Sequence, residues 1–167
     1  METLISSCKF CSPSGTLFSP GHTWVRKNDY GLIKIGIDEV TVRTLEEISV
    51  VRVAKAESFL HMDDFIFEIK SGEKEIPIKA PIAGTLKFIN PFIINKKIEY
   101  PYGDDWVVLM QASGFIEDKS MLLTEEEYKN WIKFEFKKLG RSFRDEFPFG
   151  NYYDEAYKLK LHSASIS

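Results

Sequence analysis

The 167-residue sequence predicts a small mostly-β domain, a barrel or sandwich carrying one short internal helix and one closing helix. Three observations point there. Short β-prone runs recur between turns rich in Gly, Pro and Asn; one helix signal interrupts them at Asp38; and a capping box at Thr124 opens a longer amphipathic run. Hydrophobic residues make up 44% of the chain and aromatic residues 14%, which is enough to build a core and excludes wholesale disorder.

Residues 1–20 lack periodicity and are rich in Ser, Pro and Gly, so they read as an irregular arm. Thr23-Trp24-Val25-Arg26 and Leu32–Ile37 then flank Lys27-Asn28-Asp29-Tyr30-Gly31, the pattern of a hairpin. Asp38 is placed to N-cap a short helix whose Val40, Leu45 and Ile48 share one face. Ile48–Val53 returns to strand. A second hairpin follows, with Phe65–Lys70 and Glu75–Lys79 as arms and Ser71-Gly72-Glu73-Lys74 as a polar tip. Pro77 has no N–H to give to a ladder, which places its arm at an edge or a bulge. Ala80-Pro81-Ile82-Ala83-Gly84 breaks the chain before the strand Thr85–Ile89, and Trp106–Met110 is the last strand.

The closing helix has the strongest local signals. Thr124 and Glu127 form the capping box, and Glu125 and Glu126 add negative charge at the positive end of the dipole. Tyr128, Trp131, Ile132 and Leu139 recur at helical spacing, Lys137 and Lys138 occupy the last turn, and Gly140 suits the residue beyond it. Residues 141–167 lose that period. Phe143, Phe147, Phe149, Tyr152, Tyr153 and Tyr157 alternate there with charge, a composition suited to docking on a partner or back on the domain.

The chain carries 22 Lys+Arg against 25 Asp+Glu, a net charge of -3, and so shows no basic footprint for nucleic acid or an anionic membrane. No stretch reaches the roughly 20 apolar residues of a membrane span. The N-terminus lacks the basic and apolar regions of a signal peptide, and although Ile5-Ser6-Ser7-Cys8 echoes a lipoprotein cleavage site, nothing hydrophobic precedes it. The expectation is a soluble, cytoplasmic protein.

In this order, Gly21-His22-Thr23-Trp24-Val25, Ile35-Gly36-Ile37 leading into a helix, Ala80-Pro81-Ile82-Ala83-Gly84-Thr85-Leu86 and Asn90…Tyr100-Pro101-Tyr102-Gly103-Asp104-Asp105-Trp106 form a pattern, closed by the helix bearing Trp131. The pattern resembles the glycine cleavage system H protein family and covers roughly residues 20–140. The resemblance implies a barrel-sandwich hybrid fold and a carrier rather than an enzyme. In that family a lysine at a hairpin apex holds lipoic acid as an amide and serves the enzymes of glycine cleavage. Counted without gaps from Ala80-Pro81 or from Ile48, the lysine position falls on Glu73, and Lys70 stands where the family tends to place an acid. Only an amine forms that amide. Two readings follow: no lipoate at Glu73, and a scaffold partner of lipoyl- or thiol-handling enzymes; or a one-residue slip that makes Lys74 the acceptor, giving a lipoyl carrier. A slip moves alternate side chains to the wrong face unless a bulge absorbs it. Asp105 also departs from the family's glycine before the tryptophan, and the connection from Asn90 to Tyr102 is shorter than usual. Both bear on docking to the usual partner enzymes.

Cys8-Lys9-Phe10-Cys11 is a C-x-x-C pair, suited to a dithiol switch or to half of a metal site. With no second pair, a closed site needs His22, His61, His162 or another chain. His22 reads as a structural hydrogen-bonding residue, and His61 with Asp63 and Asp64 as a polar turn rather than a divalent-metal cluster. No Ser, His and Asp combination argues for a nucleophile, and no Gly-rich phosphate loop is present. The organisation expected is an arm (1–20), an H-protein-like domain (21–140) and an aromatic tail (141–167).

Overall fold

The computed structural model describes residues 12–45, 47–114 and 122–139. Among them, nine strands and two helices follow one another: β1 (Leu17–Phe18), β2 (Thr23–Lys27), β3 (Ile33–Ile37), α1 (Glu39–Thr44), β4 (Ile48–Val53), β5 (Phe59–Leu60), β6 (Phe65–Ser71), β7 (Lys74–Lys79), β8 (Gly84–Ile89), β9 (Val108–Ala112) and α2 (Glu125–Leu139). The strands form a six-stranded sheet in the order β1-β2-β3-β9-β8-β5 and a three-stranded sheet in the order β4-β6-β7. All the pairings between these strands are antiparallel.

Alternation places the core. Val25, Ile33, Ile35, Ile37 and Met110 of the larger sheet meet Val50, Phe67, Ile69, Ile76 and Ile78 of the smaller in one buried cluster. The β2–β3 turn is held by Asn28, whose Oδ1 accepts from the N–H groups of Tyr30 and Leu32, with Gly31 at φ +80°. Asp38 caps α1 by accepting from Thr41 N at 2.8 Å. Gly84 is required by a close approach: a Cβ there would stand 2.2 Å from the Gln111 carbonyl oxygen across the β8–β9 ladder. Pro77 lies on β7, an edge strand, as its missing N–H requires.

A second cluster forms where α2 packs on β1 and β2. Phe18, Trp24, Val40, Tyr128 and Ile132 are buried together, with Tyr102, Trp106, Leu123 and Trp131 packed against them. The capping box forms as read, Thr124 N donating to Glu127 Oε1 and Glu127 N to Thr124 Oγ1. The α2 spacing of Tyr128, Trp131 and Ile132 is thus a packing face; Gly140 and the tail lie outside the described residues.

Several sequence expectations are corrected. The internal helix ends at Thr44, so Leu45 is its C-cap and Ile48 begins β4 instead of extending a helical face. The arm is not irregular through residue 20, because Leu17 and Phe18 pair with Val25 and Trp24, and Phe18 is fully buried. β5 has no counterpart in the sequence reading; two residues are too short to show a period. The last strand runs two residues later than Trp106–Met110 and includes the polar Gln111, since its ladder with β8 begins at Val108↔Ile89.

Candidate functional site

The β6–β7 hairpin is built from an inner row and an outer row. Ile69, Ile76 and Ile78 face the core, while Lys70, Glu75 and Pro77 are exposed. Its ladder runs without interruption from Glu68↔Pro77 through Ile69↔Ile76 and Lys70↔Glu75 to Ser71↔Lys74. Only Gly72 and Glu73 are left as the turn, so the tip is tighter than the four-residue one expected. Gly72 takes φ +62° and Glu73 does not share a positive φ, the arrangement of a two-residue turn with glycine first. Glu73 is exposed at the apex. Lys74 lies on the strand, half-buried, on the same side as Ile76 and Ile78. The register irregularity of this pair lies at the hairpin's base, between Phe65 and Phe67, on β6.

The apex does not stand alone. Ile48↔Ser71 and Ser49↔Lys70 bring the start of β4 beside the tip, and Ile98 N donates to the Ile48 carbonyl. Glu47, Ser49, Lys70 and Gly72 line a cleft of about 600 Å³ there. One carboxylate, one ammonium and one hydroxyl therefore gather below the apex. Glu47 and Ser49 carried no sequence signal: they become neighbours of the tip only through the β4–β6 register.

The Asn90–Val107 connection lies along the outer edge of β4, with isolated bridges Ser49↔Lys97 and Val50↔Ile94. Asp105 organises this loop. Its buried carboxylate accepts from Lys96 Nζ, Glu99 N and Tyr100 N, each at 2.8 Å. Burial pushes the Asp105 carboxyl up, but these hydrogen bonds outweigh it and hold it below the ordinary carboxylate value, while Lys96 is held above its own. Asn90 Nδ2 donates to the carbonyls of Asp104 and Trp106, closing the other side.

His22 is buried, at φ +71°. Its Nδ1 lies 2.9 Å from Asp38 Oδ2, the Tyr128 hydroxyl donates to the same oxygen, and Trp131 packs on the imidazole at 5.7 Å. Asp38 thus joins β2, α1 and α2, a role its N-cap signal did not disclose. Tyr102 Oη accepts from Glu39 N beside it, and burial, followed by the Asp38 charge, pushes its hydroxyl well above the usual tyrosine range. His61 forms a polar turn: its N–H donates to Asp64 Oδ2 and Asp63 sits at φ +75°. No group of three potential metal ligands occurs among the described residues. Cys8, Cys11 and His162 lie outside them, although Ser12 is tied to α2 by donating from N and Oγ to Glu125 Oε1. No helix of the described residues is long and apolar enough to cross a membrane.

The fold has close counterparts. Residues 16–135 match the family model for the glycine cleavage H-protein. The chain is 31% identical over 124 residues to the glycine cleavage system H protein of Psychrobacter cryohalolentis, covering 71% of this chain and 95% of that one. It is 28% identical over 127 residues to that of Bifidobacterium longum, covering 72% and 88%. Among solved structures, the glycine cleavage system H protein of Mycobacterium marinum aligns with a TM-score of 0.63 at 21% identity, over 72% of this chain and 98% of that one. That match carries the barrel-sandwich hybrid fold, mostly β with a short internal and a C-terminal helix. Proteins of this kind are carriers rather than enzymes; they normally bear lipoate and interact with glycine cleavage system proteins. A family model spanning most of the chain and a relative above 30% identity lead to one conclusion: the chain belongs to the glycine cleavage H-protein family.

Proposed function

We propose that this H-protein family member carries no lipoate at its hairpin apex and acts as a non-enzymatic binding or scaffold partner of lipoyl- or thiol-handling enzymes. One observation carries the reading. The exposed apex residue is Glu73, and a carboxylate forms no amide with the carboxyl group of lipoate. The apex therefore does not fit the group, and no transfer chemistry is assigned to it. Lys74 is a poorer substitute than its adjacency suggests. It stands opposite Ser71 in an uninterrupted ladder, half-buried on the core-facing side of β7. Presenting it at the apex requires a slip that would turn Ile76 and Ile78 outward. The bulge that could absorb one lies on β6, at the far end of the hairpin. What remains is a module with a charged apex and a polar cleft beneath it, fit to be bound.

The test is intact mass after expression alongside a lipoate ligase, with Glu73→Lys as the comparison. The wild-type chain is expected to keep its unmodified mass, and Glu73→Lys to gain one lipoyl group. A lipoyl gain in the wild-type chain that disappears in Lys74→Ala overturns the proposal and makes the protein a carrier.

A further inference from the structure

The outward face of the six-stranded sheet is covered at one side and open at the other. α2 covers Phe18 and Trp24 through Tyr128 and Ile132, and Trp106 packs half-buried against the same cluster. Beside it, Arg26, Lys34, Leu109 and Phe88 stand opposite one another across β2, β3, β9 and β8. Residues directly opposite in a ladder share a face, so these four form one row on the side that bears Trp24. The Lys34 ammonium lies 5.6 Å from the centre of the Trp106 ring, and Phe88 is 55% exposed. At the end of β8, the hydrogen bonds of Asn90 hold the next turn against Asp104 and Trp106, and Phe92 there is 78% exposed. The row thus carries an exposed aromatic ring, Phe88, with a second, Phe92, four residues on. Beside them stand two cations: Lys34 over Trp106, and Arg26, which stacks on Trp24 and donates to Thr16 Oγ1 and the Tyr102 carbonyl. Exposed aromatics of this kind mark a surface that is commonly covered.

We propose that the chain's own segment 143–157 docks on this surface. α2 packs on this face through Tyr128 and Ile132 and ends at Leu139. The 28 residues that follow place six aromatics between Phe143 and Tyr157. Two acidic pairs, Asp145-Glu146 and Asp154-Glu155, stand among them, matching Arg26 and Lys34 in sign. The segment is long enough to span the row: extended chain advances about 3.3 Å per residue. Crossing from β2 to β8, three neighbours away at about 4.8 Å each, needs about 14 Å, or some five residues. Apolar contact with Phe88, Phe92 and Trp106 supplies the attraction, and the acidic pairs set the direction. A second copy of the chain and a separate protein are the competing occupants.

Hydrogen–deuterium exchange on the full-length chain decides among them. Amides of 143–157 are expected to exchange about ten-fold more slowly in the wild type than in Phe88→Ser/Phe92→Ser, whose substitutions are at exposed positions. The reciprocal variant Phe147→Ser/Phe149→Ser is expected to speed exchange at residues 86–94. Protection independent of protein concentration, lost in both variants, supports docking within one chain. Equal exchange of 143–157 in wild type and the Phe88/Phe92 variant overturns the proposal. Protection that grows with concentration overturns it in favour of a second copy.

Discussion

Asp38 is the residue on which three elements converge, so its removal gives the sharpest test of how the domain is held together. In Asp38→Ala the α1 N-cap loses its acceptor to Thr41 N, worth about 1 kcal/mol. His22 and the Tyr128 hydroxyl lose the oxygen they share, and both are buried where water does not replace it. Each loses a hydrogen bond to the carboxylate, about 1–3 kcal/mol, so with the cap the whole loss is about 3–7 kcal/mol. Against a total of about 5–15 kcal/mol for a domain, that is a large fraction. With a urea slope of about 1–3 kcal/mol per molar, the midpoint should fall by about 2 M.

The assay is urea unfolding followed by tryptophan fluorescence, since Trp24 and Trp131 lie beside the network. Tyr128→Phe removes one partner and should cost about 1 kcal/mol, less than Asp38→Ala, because the carboxylate keeps His22 and Thr41 N. In the double variant the two losses should fall short of additive by about that amount. An Asp38→Ala chain within 1 kcal/mol of wild type would refute the idea that this carboxylate joins α2 to the barrel.

Three further outcomes follow from the same geometry. Asp105 is held below its ordinary value of 3.8, so the stability it contributes is present above that pH and is lost as pH falls through the lower folded value. Asp105→Asn should therefore flatten the acid limb of a Tm-against-pH curve; an unchanged limb counts against the loop-organising role. Gly84→Ala drives a methyl into the Gln111 carbonyl and the Ala112 Cα, both backbone, and should lower stability by about 3 kcal/mol or prevent folding, read as Tm or soluble yield. Thr124→Ala opens the capping box and should cost about 1 kcal/mol in urea, with the fold retained by circular dichroism.

Local chemistry was legible wherever a residue states its own requirement. Asn28-Asp29-Tyr30-Gly31 specified a turn, Thr124 with Glu127 a helix start, and Pro77 an edge or a bulge, because each restricts the backbone at its own position. What escaped was set by distant pairing. β1 and β5 are two-residue strands that exist only because Trp24 and Thr85 lie opposite. The cleft needs Glu47 and Ser49 carried to Lys70 by a ladder between segments some twenty residues apart. Asp38 declared itself as a cap, yet its bonds to His22 and Tyr128 span 16 and 90 positions, beyond the range of any local pattern.

The positions that impose the fold and the apex at which we propose the family's lipoyl lysine would fall are physically separate. Gly84 answers to the Gln111 backbone, Gly36 to the Trp24 ring, and Trp24 to the Pro101 carbonyl that accepts its Nε1–H. Each is buried, and each is coupled to an element far away in sequence. Glu73 contacts solvent at the end of a two-residue turn whose geometry rests on Gly72. Exchanging lysine for glutamate there leaves the Ser71↔Lys74 pair and the inner row of isoleucines untouched, so the apex is free to change without cost to the barrel. On the proposed assignment of the apex, lipoylation rests on an amine whose presence the packing of the barrel does not enforce. Glu73→Lys should accordingly leave the urea midpoint within about 0.5 kcal/mol of wild type, the range of a surface substitution. A larger loss would show that the apex charge is tied into the fold after all.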